Sequence, residues 1–399
     1  MCFERSCPSN SSILSPEYIK TKCLGDVNMD VKDLVKPFSI KSLSLPGRVV
    51  MAPMTRNRSP NNIPGPEVAK YYTRRAENHV GLIITEGTVV DASGHAYPDV
   101  PNFYGKKALK GWKNVVESVH RAGGKIFPQL WHAGSFRQRG MTPDPSLPGY
   151  GPSALLHPGI EDGEPPREMS ISDIDEIILA FAKAAGHAKD IGFDGIEIHG
   201  AHGYLVDQFF WNRTNKRPDR YGGDTIGERT AFARELIQAI REKAGVNYPI
   251  CLRISQWKLG DYDTKLAKTP KELETFLTPL SEAGVDIFHC STRRFYQSEF
   301  PGSNLNLAGW TKKISGKPVI TVGSVGLDTD FVSMRIKGET AKGSEKTVHD
   351  LLDRLSRDEF DLVAVGRALL ADPAWVTKVI ENRFDDIQTF AMKCLDTLY

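Results

Sequence analysis

The chain has 399 residues, 40% of them hydrophobic and 25% charged, and its 51 basic and 49 acidic side chains leave a net charge of +2. So balanced a charge carries no field directed at nucleic acid, and no apolar run approaches the roughly 18 residues that would mark a membrane span. A chain this long buries most of its apolar surface without staples. Its six cysteines, Cys2, Cys7, Cys23, Cys251, Cys290 and Cys394, show neither zinc nor thioredoxin spacing.

No secretory apolar segment precedes those cysteines, so reduced thiols and a cytoplasmic protein are expected. Residues 1–28 contain Ser, Pro and Cys without apolar periodicity and read as a disordered extension. Organelle targeting by that segment stays open, although Glu4, Glu17 and Asp26 are unlike the acid-poor composition of a transit peptide. Residues 29–399 read as one domain. From Leu45 onward, short β-type runs alternate with longer helical patterns, which is the signature of βα units around a parallel sheet.

The expected strands are Arg48–Ala52, Leu82–Glu86, Lys125–Trp131, Gly195–His199, Ile250–Ser255, Asp286–Ser291, Val319–Val322 and Asp361–Val365. Helical patterns lie at Ser172–Ile191, Gly227–Ala244, Pro270–Ala283 and Pro373–Asn382, with Ser172 as N-cap and Gly192 as stop of the first. Eight such units imply an α/β fold, a (β/α)8 TIM barrel. An open doubly wound sheet is the alternative, and it lacks the Gly-x-Gly-x-x-Gly fingerprint after a strand. Two segments interrupt the rhythm. Phe136–Glu168, rich in Pro, Gly and Asp, is expected to cap the barrel mouth. Lys337–Lys346 reads as an exposed loop whose glycines lack the Lys-Ser/Thr pair of a phosphate loop.

Barrel active sites are built at the C-terminal ends of the strands. Those positions here hold Pro53-Met54-Thr55, Glu86-Gly87, Gln129 with Trp131, the group His199, His202 and Tyr204, then Arg253, Arg293-Arg294, Gly323-Ser324 and Gly366-Arg367. Two imidazoles can donate hydrogen bonds to one oxygen, and a neighbouring phenol can deliver a proton. Taken alone, His-x-x-His-x-Tyr reads equally as a strand-end turn with core histidines, and a zinc site would lack its third and fourth ligands. Gly323, Ser324 and Gly366 would let backbone approach a phosphate, with Arg367 as a clamp. Gln129 and Arg253 suit the polar edge of a flat heterocycle, Thr55 its other carbonyl, and Pro53 and Met54 its ring face. Together these features describe a phosphorylated flavin across the barrel mouth.

The stretches VVMAPMTRNRS (49–59), GLIITEGTVVD (81–91), QLWHAG (129–134), HGAHGYLVDQF (199–209), NKRPDRYGGD (215–224), ITVGSVG (320–326) and FDLVAVGRALLADP (360–373) carry a resemblance to a known family. From about Asp30 to the end of the eighth unit, the chain resembles the Old Yellow Enzyme family of FMN-dependent ene-reductases, which includes the plant 12-oxophytodienoate reductases. The resemblance implies that Ala52, Pro53, Met54, Thr55, Gly87, Gln129, Arg253, Gly323, Ser324, Gly366 and Arg367 contact FMN. It implies that His199 and His202 bind the substrate's activating oxygen, that Tyr204 is the proton donor, and that Trp131 and Arg294 lie on the substrate side. Thr55 stands where another branch carries cysteine, Ser135 where many relatives have arginine, and Ser324 replaces a frequent glycine.

The implied activity is ping-pong reduction of the C=C bond of electron-poor alkenes (enones, nitroalkenes, maleimides), with NADPH or NADH as reductant. The implied partner is a small-molecule activated alkene, with no nucleic acid and no membrane, for a monomer or homodimer. Another FMN barrel, of dihydroorotate or 2-hydroxy acid dehydrogenase type, shares fold and cofactor but needs a different base or nucleophile. A catalytically silent flavin-binding relative would be expected to lose Tyr204 or the phosphate arginine, and this chain keeps both.

Overall fold

The computed structural model describes residues 31–399 apart from 338 and 339, so the extension expected over 1–28 lies outside the described residues. Eight parallel strands close into a barrel. In chain order they are β1 Val49–Met51, β2 Leu82–Val89, β3 Lys125–Trp131, β4 Ile196–His202, β5 Ile250–Lys258, β6 Ile287–Ser291, β7 Val319–Val322 and β8 Leu362–Val365. Each pairs with its sequence neighbours, and β8 closes on β1 through pairs such as Val365 with Met51. All eight expected strands are present. Three run further than the pattern indicated, since β2, β4 and β5 continue to Val89, His202 and Lys258.

Helices fill the connections: α1 Pro66–Ala76, α2 Lys106–Arg121, α3 Ile171–Asp190, α4 Leu205–Phe210, α5 Ala231–Ala244, α6 Pro270–Ala283, α7 Leu307–Ser315, α8 Phe331–Lys337, α9 Glu345–Ser356, α10 Arg367–Ala371 and α11 Trp375–Ile380. The N-cap of α3 is Ser170 rather than Ser172. Ser170 Oγ accepts the Asp173 N–H at 3.2 Å, while the Asp173 carboxylate takes the Ser170 N–H at 2.8 Å, closing a reciprocal capping box. Its stop is Gly192 as expected, at φ +97°, with Gly192 N–H on Lys189 O and Phe193 N–H on Ala188 O. The helix expected from Gly227 begins at Ala231 after a 3-10 turn, and the one expected over Pro373–Asn382 is confined to Trp375–Ile380.

Inside the barrel, Val50, Ala52, Leu82, Ile84, Phe127, Cys251, Ile287, Ile320, Leu362 and Ala364 form one buried cluster. Leu43 and Leu45 join it from an antiparallel hairpin, Phe38–Ile40 with Leu43–Leu45, that precedes β1. The Lys337–Lys346 segment is exposed at Thr340, Lys342, Gly343, Glu345 and Lys346, as expected, but it is anchored. Ala341 is fully buried and bridges Phe390, and α9 already starts at Glu345 behind its N-cap Ser344; Gly338 and Glu339 lie outside the described residues.

Within the segment expected to cap the mouth, the Arg137 guanidinium is wholly buried and surrounded by backbone carbonyls. It donates to His95 O, Met141 O, Thr142 O, Asp144 O and Leu147 O. Phe136, at the start of that segment, packs 5.2 Å from the Tyr204 ring and 4.1 Å from the His157 ring. Among the described residues, no helix is long and apolar enough to cross a membrane.

Candidate functional site

The residues expected to hold a ligand form a continuous ring of contacts around the C-terminal mouth. A Cβ added at Gly366, after β8, would lie 3.4 Å from Met54 Sδ after β1. Ala52 N–H bonds Val365 O at 2.9 Å across the same seam, Pro53 is buried, and Thr55 is exposed. The next seam is tied by Arg56 N–H, which donates to the Glu86 carboxylate at 2.9 Å. Burial pushes the Glu86 carboxyl up to about 7, against those backbone hydrogen bonds. β2 then carries an extra residue between Ile84 and Gly87, a bulge that brings Gly87 beside β3. The Trp131 ring sits 3.3 Å from where a Gly87 side chain would begin.

From β3 the ring runs inward. Gln129 Nε2 donates to Glu197 Oε1 at 2.7 Å, and the other Glu197 oxygen meets His289 Nδ1 at 2.6 Å. Burial raises the Glu197 carboxyl, but His289, Arg253 and Gln129 outweigh it and hold the group below the ordinary carboxylate range. Arg253 is buried and donates to Ser291 Oγ at 3.4 Å, while its Nε finds no hydrogen-bond partner among the described residues.

Directly after β7, Gly323 has φ +144°, and a Cβ there would meet Thr292 O at 2.6 Å, so only glycine fits. Ser324, at φ +53°, donates to Arg293 O at 2.9 Å and accepts from Arg367, whose guanidinium also reaches Thr329 O at 2.7 Å. The ring is thereby complete.

His199 and His202 both lie on β4, with ring centroids 5.2 Å apart and planes at 89°. The Tyr204 ring is 5.0 Å from His199, and its hydroxyl is 3.3 Å from that of Tyr97. Burial, reinforced by Arg253, pushes both imidazoles well below 6.5, so they are neutral at pH 7. Burial and the Tyr97 hydroxyl push the Tyr204 phenol well above 10, so it keeps its proton. Two neutral donors and one protonated phenol therefore share one end of the barrel. The His202 ring lies parallel on Trp257, 4.3 Å away, and Trp131 meets Tyr204 edge-on at 5.2 Å.

Arg294 does not stand free. It shares Asp330 with Arg293, and against partial burial the Ser333 hydroxyl and N–H, followed by the two arginines, hold that carboxyl at about 2. These arginines line a cavity of about 310 Å³ with Trp257 and Tyr262. A larger hollow, about 720 Å³, lies between α1 and α2 and touches none of the mouth residues; the smaller one adjoins the chemistry.

Several of these residues were not singled out from the sequence. Glu197 and His289 had a signal, being charged or polar residues inside apolar strands. Ser291, Tyr97 and Trp257 had none beyond their place near strand ends. Lys258 and Asp207 are wholly buried as an ion pair and had none at all.

Residues 33–386 match the model of the NADH:flavin oxidoreductase / NADH oxidase family. The chain is 32% identical to 12-oxophytodienoate reductase 2 of Arabidopsis thaliana, over 87% of this chain and 89% of that protein. It is 36% identical to an NADH oxidase of Thermoanaerobacter brockii over 89% of this chain, and spans about half of that longer protein, 51%. Among solved structures, morphinone reductase superposes with a TM-score of 0.74 at 28% identity, covering 91% of this chain and 92% of that one. The same enzyme in complex with tetrahydroNAD gives 0.71 at 29% identity, covering 88% and 91%.

Proposed function

The chain belongs to the NADH:flavin oxidoreductase / NADH oxidase family, the Old Yellow Enzyme family, whose cofactor is FMN, and from that membership we propose that it reduces the C=C bond of electron-poor alkenes with electrons from NADPH or NADH. The observation that carries this reading is the neutral His199–His202 pair with a protonated Tyr204 beside it.

The mouth suits FMN. Arg253 presents a buried, unpartnered Nε beside Gln129 and Glu197, which fits the polar edge of a flavin ring. Gly323, Ser324, Gly366 and Arg367 offer glycine backbone, a hydroxyl and a guanidinium to its phosphate. Ala52, Pro53, Met54, Thr55 and Gly87 line the remaining seams. When bound, the flavin supplies the hydride, which is chemistry no side chain here provides.

The protein's own part is orientation and charge. His199 and His202 donate hydrogen bonds to the carbonyl or nitro oxygen of the alkene and stabilise negative charge as it develops there. Because both are neutral, they do so without a fixed cation that would favour anionic ligands over enones. Tyr204 gives its proton to the α-carbon while hydride arrives at the β-carbon. Trp131 and Trp257 confine the substrate from two sides, and Arg294 lines the adjoining cavity.

Anaerobic turnover with enones, nitroalkenes and maleimides, using NADPH and NADH in turn, tests the proposal. The purified protein is expected to be yellow and to consume alkene in step with the nicotinamide. A protein that takes up no FMN, or that oxidises NAD(P)H only when oxygen is present, is not an ene-reductase.

A further inference from the structure

One fully buried ion pair has no task in the reaction described above. Lys258 Nζ lies 2.8 Å from Asp207 Oδ1, and neither side chain has any exposure. Desolvating two charges generally costs as much as their attraction returns, so stability alone is a poor reason for such a pair. Its other bonds are more informative. Asp207 Oδ2 accepts the Gly203 N–H at 2.7 Å, and Lys258 Nζ donates to Ser255 O at 2.9 Å.

Those two backbone sites flank His202. Gly203 follows it in the chain, and Ser255 Oγ accepts the His202 N–H at 2.9 Å. The His202 carbonyl in turn accepts from Leu259 N–H at 3.1 Å. Both peptide groups of His202 are therefore tied to the end of β5, and the ion pair ties that end back to the residue after His202.

The turn needs holding. His202 at φ +64° and Gly203 at φ +84° are successive left-handed residues, a conformation that is uncommon and costly for any residue but glycine. Gly203 is packed against His157, whose Nε2 would lie 2.5 Å from an added Cβ. Directly after it, Tyr204 stands at the N-cap position of α4, the helix that carries Asp207. The register confirms the geometry: β4 and β5 slip between Gly200 and His202, so that His202 comes to face Lys258.

We propose that Lys258 and Asp207 are positioning residues, clamping the end of β5 onto the β4 turn and thereby setting His202 and Tyr204 in register with His199. This rests on the reading of those three residues as the substrate-facing group. Neither Lys258 nor Asp207 touches the ligand.

The test uses the purified full-length holoprotein and a para-substituted phenol, whose oxygen takes the place of the substrate's. Its dissociation constant is read from the visible spectrum of the bound flavin. Lys258→Met/Asp207→Leu replaces the pair with apolar groups of similar size, a change that cores often tolerate. We expect it to keep its flavin and to bind phenol about tenfold or more weakly, with KM for the alkene raised and kcat lowered, because small misplacements of binding groups are costly. Lys258→Met alone cuts the link to Ser255 O on β5 and leaves Asp207 on the Gly203 N–H. It should weaken phenol binding severalfold at full flavin content, and it decides the matter alone if the double variant does not fold. Wild-type phenol affinity in either flavin-loaded variant overturns the clamp and leaves the pair a feature of the core. Failure of the unaltered protein to bind phenol would instead overturn the functional reading beneath it.

Discussion

The Ser291 hydroxyl lies 2.8 Å from His202 Nε2, and the same oxygen receives the Arg253 guanidinium at 3.4 Å. Arginine only donates, so Ser291 accepts from it and has its own proton free for His202 Nε2. With Ser291 as the donor, the imidazole proton of His202 sits on Nδ1, the tautomer we propose, from which it is donated onward. Ser291→Ala is expected to release this preference. The loss of a hydrogen bond worth about 0.5–1.5 kcal/mol corresponds to roughly two- to tenfold weaker phenol binding. A ¹⁵N spectrum of the histidine side chains should show His202 moving from one tautomer to a mixture. An unchanged spectrum and affinity would leave Ser291 a mere neighbour.

The proton-donor role proposed for Tyr204 predicts that its loss separates the two halves of the proposed reaction. Tyr204→Phe keeps the ring that packs against Trp131 and Phe136 and removes only the hydroxyl. Reduction of the protein by NADPH needs no proton from it and should change little. Reaction with cyclohexenone should slow by about 10²–10⁴-fold, the usual contribution of a general acid. A nitroalkene should accumulate as its nitronate, which the histidines stabilise, visible by stopped flow. Equal slowing of both halves would point to a disturbed pocket.

Arg367 divides its donors between Ser324 Oγ and Thr329 O, beside Gly323 and Gly366. If it also clamps the FMN phosphate, Arg367→Ala loses a charge-assisted contact worth about 1.5–3 kcal/mol, and flavin should be retained roughly ten- to a hundredfold less tightly. Equilibrium dialysis against FMN measures this. Full flavin content at unchanged affinity would move the phosphate elsewhere.

Stability should fall on mild acidification, and one carboxyl should oppose the fall. Burial depresses His95, His132 and His157 to about 4, and pushes His199, His202 and His289 the same way. The unfolded chain then takes up these protons first, so stability drops as pH goes from 6.5 towards 4. Glu86, raised from 4.5 to about 7 by burial, has the opposite sign. Its contribution is complete below 4.5 and is lost as pH rises through 7, a difference on the order of 3 kcal/mol. Asp207 and Glu299 are raised too, but the histidines outnumber them. Melting temperatures between pH 4.5 and 7 should therefore decline with acid, and decline more steeply in Glu86→Gln. A shallower slope in that variant would mean Glu86 is ionised throughout.

The sequence carried the barrel because eight short apolar runs, each flanked by glycine or polar residues, repeat at βα spacing. It carried His199, His202 and Tyr204 because they fall together at the end of one such run. It did not carry the hairpin at Phe38–Leu45, whose three-residue strands are too short to show a period. Ser170 and Ser172 each have an acid three residues on, Asp173 and Asp175, so the capping pattern fits both and only the folded backbone selects Ser170. Lys258 was hidden for another reason. Its partner Asp207 is 51 residues away, and the pair meets only because β4 and β5 slip in register near His202, a shift with no local signature.

The guanidinium of Arg137 has a consequence for redesign. It grips the segment after β3 entirely by main-chain oxygens, from His95 and from residues 141, 142, 144 and 147. Every amino acid supplies such an oxygen. The exposed Thr142 side chain is thus free to be exchanged in a library, provided the path of the backbone survives, whereas the side chains of His95, Met141 and Asp144 have hydrogen bonds of their own, with Asn102, the Gln138 N–H and Ser146. Variation of this segment can accordingly begin at that position, with the histidines and the strand-end glycines left untouched.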